Sequence, residues 1–176
     1  MMIVGIDPGL SGAIALYRPE PGSLVITDLP TQTRRLSNKK LRTELDLAAL
    51  AHWLDTHLPL GDVHAYIEDP HAMPKQGITS AFRFGYVCGA IQAMVTAYHI
   101  PMTLLPPATW KKALGLGSDK VGCQHKASQL LPHHAHLWPL KKHDGRAEAA
   151  LLAWYGAQPR REPWQTKDDQ LTKEKK

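Results

Sequence analysis

The sequence predicts an α/β domain built on a five-stranded mixed β-sheet that is flanked by α-helices. Three short apolar segments at the start of the chain are separated by tight turns, which is typical of an antiparallel meander. Two further strand-like segments alternate with helical patterns, and such units pair in parallel through right-handed crossovers. The remaining helical patterns, near the end of the chain, would cover the sheet.

The strand-like segments are short apolar or alternating runs bounded by turn residues. The first ends at an acid and is broken by Pro8-Gly9, and a Pro-Gly pair at 21–22 separates the second from the third. The polar and basic segment 30–43 is predicted to be a loop. The five predicted strands are 2–7, 12–18, 23–29, 63–68 and 102–105.

Four segments have apolar residues at helical spacing. The first has Asp46 as a plausible N-cap, and the second is long and largely apolar. The predicted helices are 46–57, 77–98, about 119–131 and about 144–157. Because the end of the chain is polar with mixed charges, we predict one domain at 1–156 and a flexible charged tail at 157–176.

Length and composition exclude several classes of protein. A chain of 176 residues with 43% hydrophobic and 21% charged residues suits one soluble domain. No apolar stretch is long enough to cross a bilayer and no signal pattern opens the chain, so we expect a cytoplasmic protein without a membrane partner. The net charge of +5 permits a polyanionic partner without proving one.

Four carboxylates occupy suggestive positions. Asp7 ends the first predicted strand and Glu68 ends the fourth, so the two would lie side by side if these strands are neighbours. Asp144 and Glu148 are four residues apart at the start of a predicted helix, which places them on one face, one turn apart. Four acids from three elements would then converge.

Gathered carboxylates suit hydrolysis of a phosphodiester. Two metal ions about 3.5–4 Å apart activate the attacking water and stabilise the leaving oxygen. Mg²⁺ prefers oxygen ligands, which carboxylates supply. Taken singly, each acid also has a structural explanation, because Asp favours turns and helix N-caps and acids favour the first turn of a helix.

Three segments together resemble the RuvC-type Holliday junction resolvases, and most closely the compact branch found in bacteriophages and prophages. They are IVGIDPGLSGAIAL (3–16), YIEDP (66–70) and KKHDGRAEAALLAWYG (141–156), and the resemblance covers roughly residues 2–156. It implies an RNase H-like fold, a homodimer, and a Mg²⁺-dependent endonuclease that makes paired nicks across branched DNA. Two Mg²⁺ ions per site would be expected, Mn²⁺ would substitute for them, and no nucleotide cofactor would be needed.

The resemblance carries the family's metal ligands to Asp7, Glu68, Asp144 and Glu148. The cellular members have two aspartates three residues apart in the last helix, whereas the acids here are four apart. Either Asp144 or His143 would therefore supply the second late ligand, and His143 is a further catalytic candidate. Asp69 would point to the opposite face from Glu68 and is not expected to be a ligand.

Basic residues would bind the phosphates of DNA. The segment PPATWKKALGLGSDK (106–120) also resembles the family, and Lys112 is our candidate within it for stabilising the transition state. The helix at 77–98 has Gly85 and Gly89 four residues apart and is the candidate dimer surface, although burial against the sheet is the simpler explanation. The predicted DNA-binding residues are Arg34, Arg35, Lys39, Lys40, Lys75, Arg83, Lys111, Lys112 and Lys120.

Three other functions compete with a resolvase. An RNase H-like nuclease acting on RNA–DNA hybrids or structured RNA would use the same metal site. A catalytically inactive DNA-binding protein would have the same fold and bind branched DNA without cleaving it. Sugar kinases and actin-like ATPases share the strand-Asp-x-Gly opening, but they need a second glycine loop that this sequence lacks.

Overall fold

A computed structural model describes residues 1–58, 61–71, 77–117 and 120–159. The strands are β1 (Met2–Asp7), β2 (Ala13–Arg18), β3 (Ser23–Asp28), β4 (Thr31–Arg35), β5 (Leu41–Leu45), β6 (Val63–Glu68) and β7 (Met102–Leu105). The α-helices are α1 (Leu47–His57), α2 (Ile78–Ala97), α3 (Pro107–Ala113), α4 (Lys120–Leu130) and α5 (Asp144–Ala157). Two short 3-10 helices, Pro132–Leu137 and Lys141–His143, connect α4 to α5.

The main sheet has five strands in the order β3-β2-β1-β6-β7. The first three strands are antiparallel, whereas β6 pairs in parallel with both β1 and β7. The five strands predicted from the sequence are therefore confirmed, and so is the mixed sheet. Parallel pairing places the ends of β1 and β6 at the same edge of the sheet.

Each face of the sheet has its own hydrophobic core, because successive side chains of a strand point to opposite faces. Val4, Ile6 and Ile67 pack with buried residues of α1 and α2 on one face. Ile3 and Tyr66 pack with α5 and α4 on the other. The protein is thus a three-layer α/β/α structure, as expected for a mixed sheet with helices on both sides.

Helix α5 lies unusually close to the middle of the sheet because small residues meet at the contact. A Cβ atom added at Gly5 of β1 would lie 2.1 Å from the carbonyl oxygen of Ala149 and 2.9 Å from the Cβ of Ala153. A Cβ at Gly156 would lie 2.1 Å from the ring of Tyr66. The backbone of α5 therefore rests directly on β1 and β6.

The prediction of a loop at 30–43 was wrong, because β4 and β5 form a two-stranded antiparallel sheet there. All five residues of β4 are exposed, so the segment lacks the alternation of apolar and polar residues that marks a half-buried strand. The hairpin joins the domain at its base, where Leu45 is buried and the Asp46 amide donates to the Pro30 carbonyl over 2.8 Å.

The predicted helices are present, and the structure adds α3, which was not predicted as a helix. Asp46 is the N-cap of α1, and its side chain accepts a hydrogen bond from the Ala49 amide, as predicted. Of the predicted tail at 157–176, residues 160–176 lie outside the described part of the chain. Among the described helices, none has the length and apolar character needed to cross a membrane.

The contact between α5 and β1 predicts that Gly5→Ala destabilises the protein. The added methyl would collide with the backbone of Ala149, and overpacking of this kind costs about 2 kcal/mol or more. Gly122→Ala in α4 is the matched control, because its Cβ would meet Leu116 at an ordinary 3.5 Å. Urea unfolding should show the loss for Gly5→Ala, with Gly122→Ala changed by less than about 1 kcal/mol. Equal stabilities of the two variants would contradict the close packing.

Candidate metal centre

Asp7 and Glu68 lie side by side at one edge of the sheet. Ile6 and Ile67, which immediately precede them, are partners in the parallel pairing of β1 and β6. Because alternate residues of a strand point to the same face, Asp7 lies on the same face as Ile3 and Gly5, and Glu68 on the same face as Tyr66. That face packs against α5, so both carboxylates point towards this helix. The strand ends thus supply two acids to the same side of the sheet.

Helix α5 supplies the third acid. Single carboxylate oxygens of Asp7, Glu68 and Glu148 all lie within 4.8 Å of one another. Glu148 is only 9% exposed and Glu68 only 8%, so this group is set into the protein rather than spread over its surface. Such a group of oxygen donors can hold a hard divalent cation.

Asp144 is the first residue of α5 and lies near this group without belonging to it. Its charge contributes to raising the pKa of Asp7, which shows that the two carboxylates are close. The helix position three residues before Glu148 is Gly145, where a Cβ would lie 3.0 Å from Asp7 Oδ2. The position facing Asp7 therefore carries no side chain, and Asp144 occupies the neighbouring position on the helix.

Lys111 of α3 reaches into the carboxylate group. Its Nζ lies 3.1 Å from Glu148 Oε1 and 3.9 Å from Glu68 Oε1. Trp110, which is fully buried, donates from its indole nitrogen to Glu68 Oε1 over 3.1 Å, and Lys111 Nζ lies 5.0 Å from the centre of the Trp110 ring. The start of α3 thus orients Glu68 and places a cation between two of the acids.

Burial and mutual repulsion shift the pKa values of these acids. Burial raises the pKa of Asp7 to about 8, helped by the charges of Glu148 and Glu68 and opposed by Lys111. Burial and the charge of Glu148 also raise the pKa of Glu68. Burial alone would lower the pKa of Lys111, but Glu148 and Glu68 raise it overall. The site therefore has a deficit of positive charge, which a bound cation would fill.

The first turn of α5 is anchored by Arg146. Its guanidinium makes a bidentate pair with Asp28 at the end of β3, over 2.6 and 2.7 Å, and also donates to the Leu137 carbonyl over 3.1 Å. Charge-assisted bidentate pairs fix orientation as well as distance. This contact sets where the helix begins, and hence where Asp144 and Glu148 lie.

His143 lies at this anchor. It is buried at the start of α5, and its Nδ1 accepts a hydrogen bond from the Leu140 amide over 3.4 Å. Burial lowers its pKa, and the charges of Arg146 and Lys142 act in the same direction. In the sequence analysis His143 was an alternative ligand to Asp144, and the structure places it in the cap of the helix, outside the group of three carboxylates.

The predicted basic residues lie in several places. Arg34 and Arg35 are exposed on β4, Lys39 and Lys40 are exposed in the turn of the hairpin, and Arg83 is exposed on α2. Lys112 is exposed on α3, whereas its neighbour Lys111 contacts the acids. Lys75 and the side chain of Lys120 lie outside the described part of the structure.

Two contacts of the site were not anticipated from the sequence. Trp110 belongs to a segment that resembles the family, but its hydrogen bond to Glu68 depends on how α3 packs. Cys123 of α4 is 1% exposed beside Glu148, and burial together with that carboxylate raises its pKa to about 12. The spacing of the cysteines offers no signal of this contact, because Cys123 and Glu148 are on different helices.

No protein-family model matches the chain, and no curated protein sequence matches it either. Among solved structures, T. thermophilus RuvC in complex with a Holliday junction substrate aligns with a TM-score of 0.56 and 16% sequence identity, over 89% of this chain and 93% of that one. This protein has the RuvC fold. A second structure of Thermus thermophilus RuvC aligns over the same shares of the chains, with 16% identity and a TM-score of 0.49.

The raised pKa of Asp7 predicts that the stability of the metal-free protein depends on pH. The pKa of Asp7 is about 8 when folded and about 3.9 when unfolded, so the folded protein holds a proton that the unfolded chain releases. Stability of the metal-free protein should therefore fall as the pH rises from about 4 to about 8. Asp7→Asn should weaken this dependence, leaving the contribution of the raised pKa of Glu68, and should be the more stable protein at pH 7.5 in EDTA by about 1 kcal/mol or more.

Thermal unfolding in EDTA from pH 4.5 to 8 tests this expectation. Asp69→Asn is the control, because Asp69 follows Glu68 in the chain and its carboxylate is exposed. Adding Mg²⁺ at pH 7.5 should raise the melting temperature of the parent protein and leave that of Asp7→Asn almost unchanged. Parallel pH curves for the parent and Asp7→Asn would rule out a raised pKa at this position.

Proposed function

We propose that this protein is a divalent-metal-dependent endonuclease that resolves branched DNA, with four-way junctions as its main substrate. The observation that carries the proposal is the convergence of Asp7, Glu68 and Glu148 from two strands and a helix into one group within 4.8 Å. The likeness to a RuvC structure bound to a Holliday junction supports the choice of substrate.

The residues present fit Mg²⁺. All three donors are carboxylates, which are the hard ligands that Mg²⁺ prefers. Burial, together with the charges of Glu148 and Glu68, raises the pKa of Asp7, and a bound cation would oppose that rise. Asp7, Glu68 and Glu148 would hold the metal ions, with Asp144 in support. Bound there, the ions would supply a nucleophilic water and stabilise the leaving oxygen, and Mn²⁺ would substitute for Mg²⁺.

Two side chains of α3 would orient the carboxylates and offset negative charge at the phosphate. Trp110 holds one oxygen of Glu68 by its indole hydrogen bond, which leaves the other oxygen available to a ligand. Lys111, which is paired with Glu148, would turn towards the scissile phosphate and offset the charge that develops there. We assign this role to Lys111 because its ammonium lies inside the carboxylate group, whereas Lys112 is exposed. Cleavage would leave 5′-phosphate and 3′-hydroxyl ends.

Paired cuts require two active sites, and α2 offers a surface for a homodimer. Ile78 is 89% exposed and Phe82 76% exposed on this helix. Gly85 and Gly89 follow on the same side, and a Cβ at either would meet nothing within 4 Å. An exposed apolar helix face with small residues permits close approach of a second helix, so we propose that two copies pair through α2.

The proposed activity predicts that Asp7→Asn and Glu148→Gln abolish cleavage and spare DNA binding. Loss of one carboxylate removes a metal ligand but leaves the fold and the basic surface in place. A labelled synthetic four-way junction, with and without Mg²⁺, measures cleavage, and its anisotropy in EDTA measures binding. Asp69→Asn is the matched control, because it removes an exposed acid adjacent to Glu68 and should cut normally.

The same assay separates the competing functions. Symmetric metal-dependent nicks confined to the four-way junction support a dimeric resolvase, while a linear duplex and a flap stay intact. Faster cleavage of an RNA–DNA hybrid would instead indicate an RNase H-type substrate. Binding of the junction without cleavage of any substrate would indicate an inactive binding protein, and cleavage by Asp7→Asn would refute the assigned metal centre.

The two neighbouring lysines make a second matched pair. Lys111→Met should lower the single-turnover cleavage rate about a hundredfold, because a charge at the reacting phosphate is lost. Lys112→Met should chiefly weaken binding and leave the rate at saturating protein within a few-fold. A larger loss of rate in Lys112→Met than in Lys111→Met would return the catalytic role to Lys112.

A further inference from the structure

A groove of about 340 Å³ lies between the β4–β5 hairpin and the first half of α2. Leu10, Leu45 and Val87 supply apolar atoms to its lining. Phe82 and Tyr86 also line it and are 76% and 64% exposed, so their rings face solvent. The size is at the lower end of the range for small-ligand sites, about 300–1,000 Å³.

The rim of the groove is positively charged. Arg34, Arg42 and Arg83 line it together with one acid, Glu44, which leaves a net charge of +2. Arg42 donates to Glu44 through its terminal nitrogen, and Arg34 lies 3.8 Å from the same carboxylate. The Nε of Arg42 is buried and has no hydrogen-bond partner among the described residues. The groove therefore combines exposed aromatic rings with guanidinium groups that are only partly satisfied.

The groove lies beside the metal centre, on the other face of the sheet. Leu10 follows Asp7 by three residues, so their Cα atoms are at most about 11 Å apart. The loop between them touches α2, because a Cβ at Gly9 would lie 3.8 Å from the ring of Phe84.

We infer that this groove binds an unpaired nucleotide of the branched DNA, with its base against Tyr86 and its phosphates against Arg34 and Arg83. Exposed aromatic rings beside arginines are the combination that binds single-stranded nucleic acid, since every base has a face that can stack. A paired duplex keeps its bases inside the helix and would leave the rings uncovered. This inference rests on the proposed function and adds a reason for selecting branched over linear DNA.

A second copy of the chain is a poorer occupant of the groove. Its apolar helix face would bury three arginines against only one acid, and unpaired buried charge is costly. In a helix that turns about 100° per residue, Gly85 and Gly89 point away from Arg83. A dimer formed through those glycines would therefore leave Arg83 and Tyr86 accessible beside the interface.

The test measures binding of the full-length protein to a four-way junction in EDTA, with 2-aminopurine placed at the nucleotides that flank the branch point. Tyr86→Ala should weaken binding to the junction roughly five- to hundredfold and abolish the change in 2-aminopurine fluorescence. Tyr86→Phe keeps the ring and should recover most of the lost affinity. Arg18→Ala is the control, because it removes an exposed arginine at the opposite end of the sheet. Binding to a linear duplex should be the same for all four proteins.

Each other outcome overturns the inference in a distinguishable way. Equal losses on the duplex and the junction would make the groove a general phosphate surface. If the parent binds the junction and Tyr86→Ala binds it equally well, the groove has no part in recognition, although the proposed function stands. Loss of the dimer in sedimentation, with the fluorescence change retained, would assign the groove to a second copy. Failure of the parent to bind any branched DNA would overturn both proposals.

Discussion

The contact of α5 with β1 is the constraint on which the site depends. A helix usually packs on a sheet through side chains, but here Gly5 allows the backbone of β1 to meet that of α5 at Ala149. Glu148 is the residue before Ala149, so the close approach delivers its carboxylate to Asp7. Any larger side chain at Gly5 would push the helix outward and open the group of acids. The convergence of the carboxylates is therefore a consequence of the packing of small residues directly beside them.

Two further contacts fix the rotation and height of the helix. Gly145 packs against the loop after Asp7, where a Cβ would lie 2.6 Å from the Ser11 carbonyl oxygen. Arg146 ties the same turn to the end of β3 through Asp28. Since Gly145 and Arg146 are adjacent on the helix, they hold different sides of its first turn. A carboxylate group within 4.8 Å needs this precision, because a displacement of 1 Å would alter every distance within it.

The electrostatic cost of the site explains the position of Lys111. Burial raises the pKa of Asp7 to about 8, and repulsion by Glu148 and Glu68 adds to this effect. Lys111 partly offsets this repulsion through Glu148 and Glu68, and its ammonium lies over the buried ring of Trp110. A divalent cation would compete with the lysine for the same oxygens. Metal binding would therefore free the ammonium for a phosphate.

Much of this site could be predicted from the sequence, since strand ends and helix spacing follow from local patterns. Asp7 and Glu68 end strands that turn signals delimit, and Glu148 lies on a strongly apolar helix. The pairing of β1 with β6, which brings the two strand ends together, was a condition of the prediction, and the structure supplies it. The distinction between Lys111 and Lys112 could not be predicted, because it depends on the rotation of a seven-residue helix held by Trp110. The role of Gly145 could not be predicted either, because it depends on the position of α5 against Asp7.

The hairpin failed to be predicted for a reason that bears on its function. Strands are recognised by the alternation that burial imposes, and β4 has no buried face. Its arginines and threonines therefore contribute nothing to the hydrophobic core. They are free to contact a binding partner of the protein. With a total charge of only +5, the proposed binding of a polyanion would depend on local clusters of basic residues, and the hairpin concentrates such a cluster beside α2. Under the proposed function, the α2 side would select the DNA, while the carboxylates on the α5 side would hold the metal ions for cleavage.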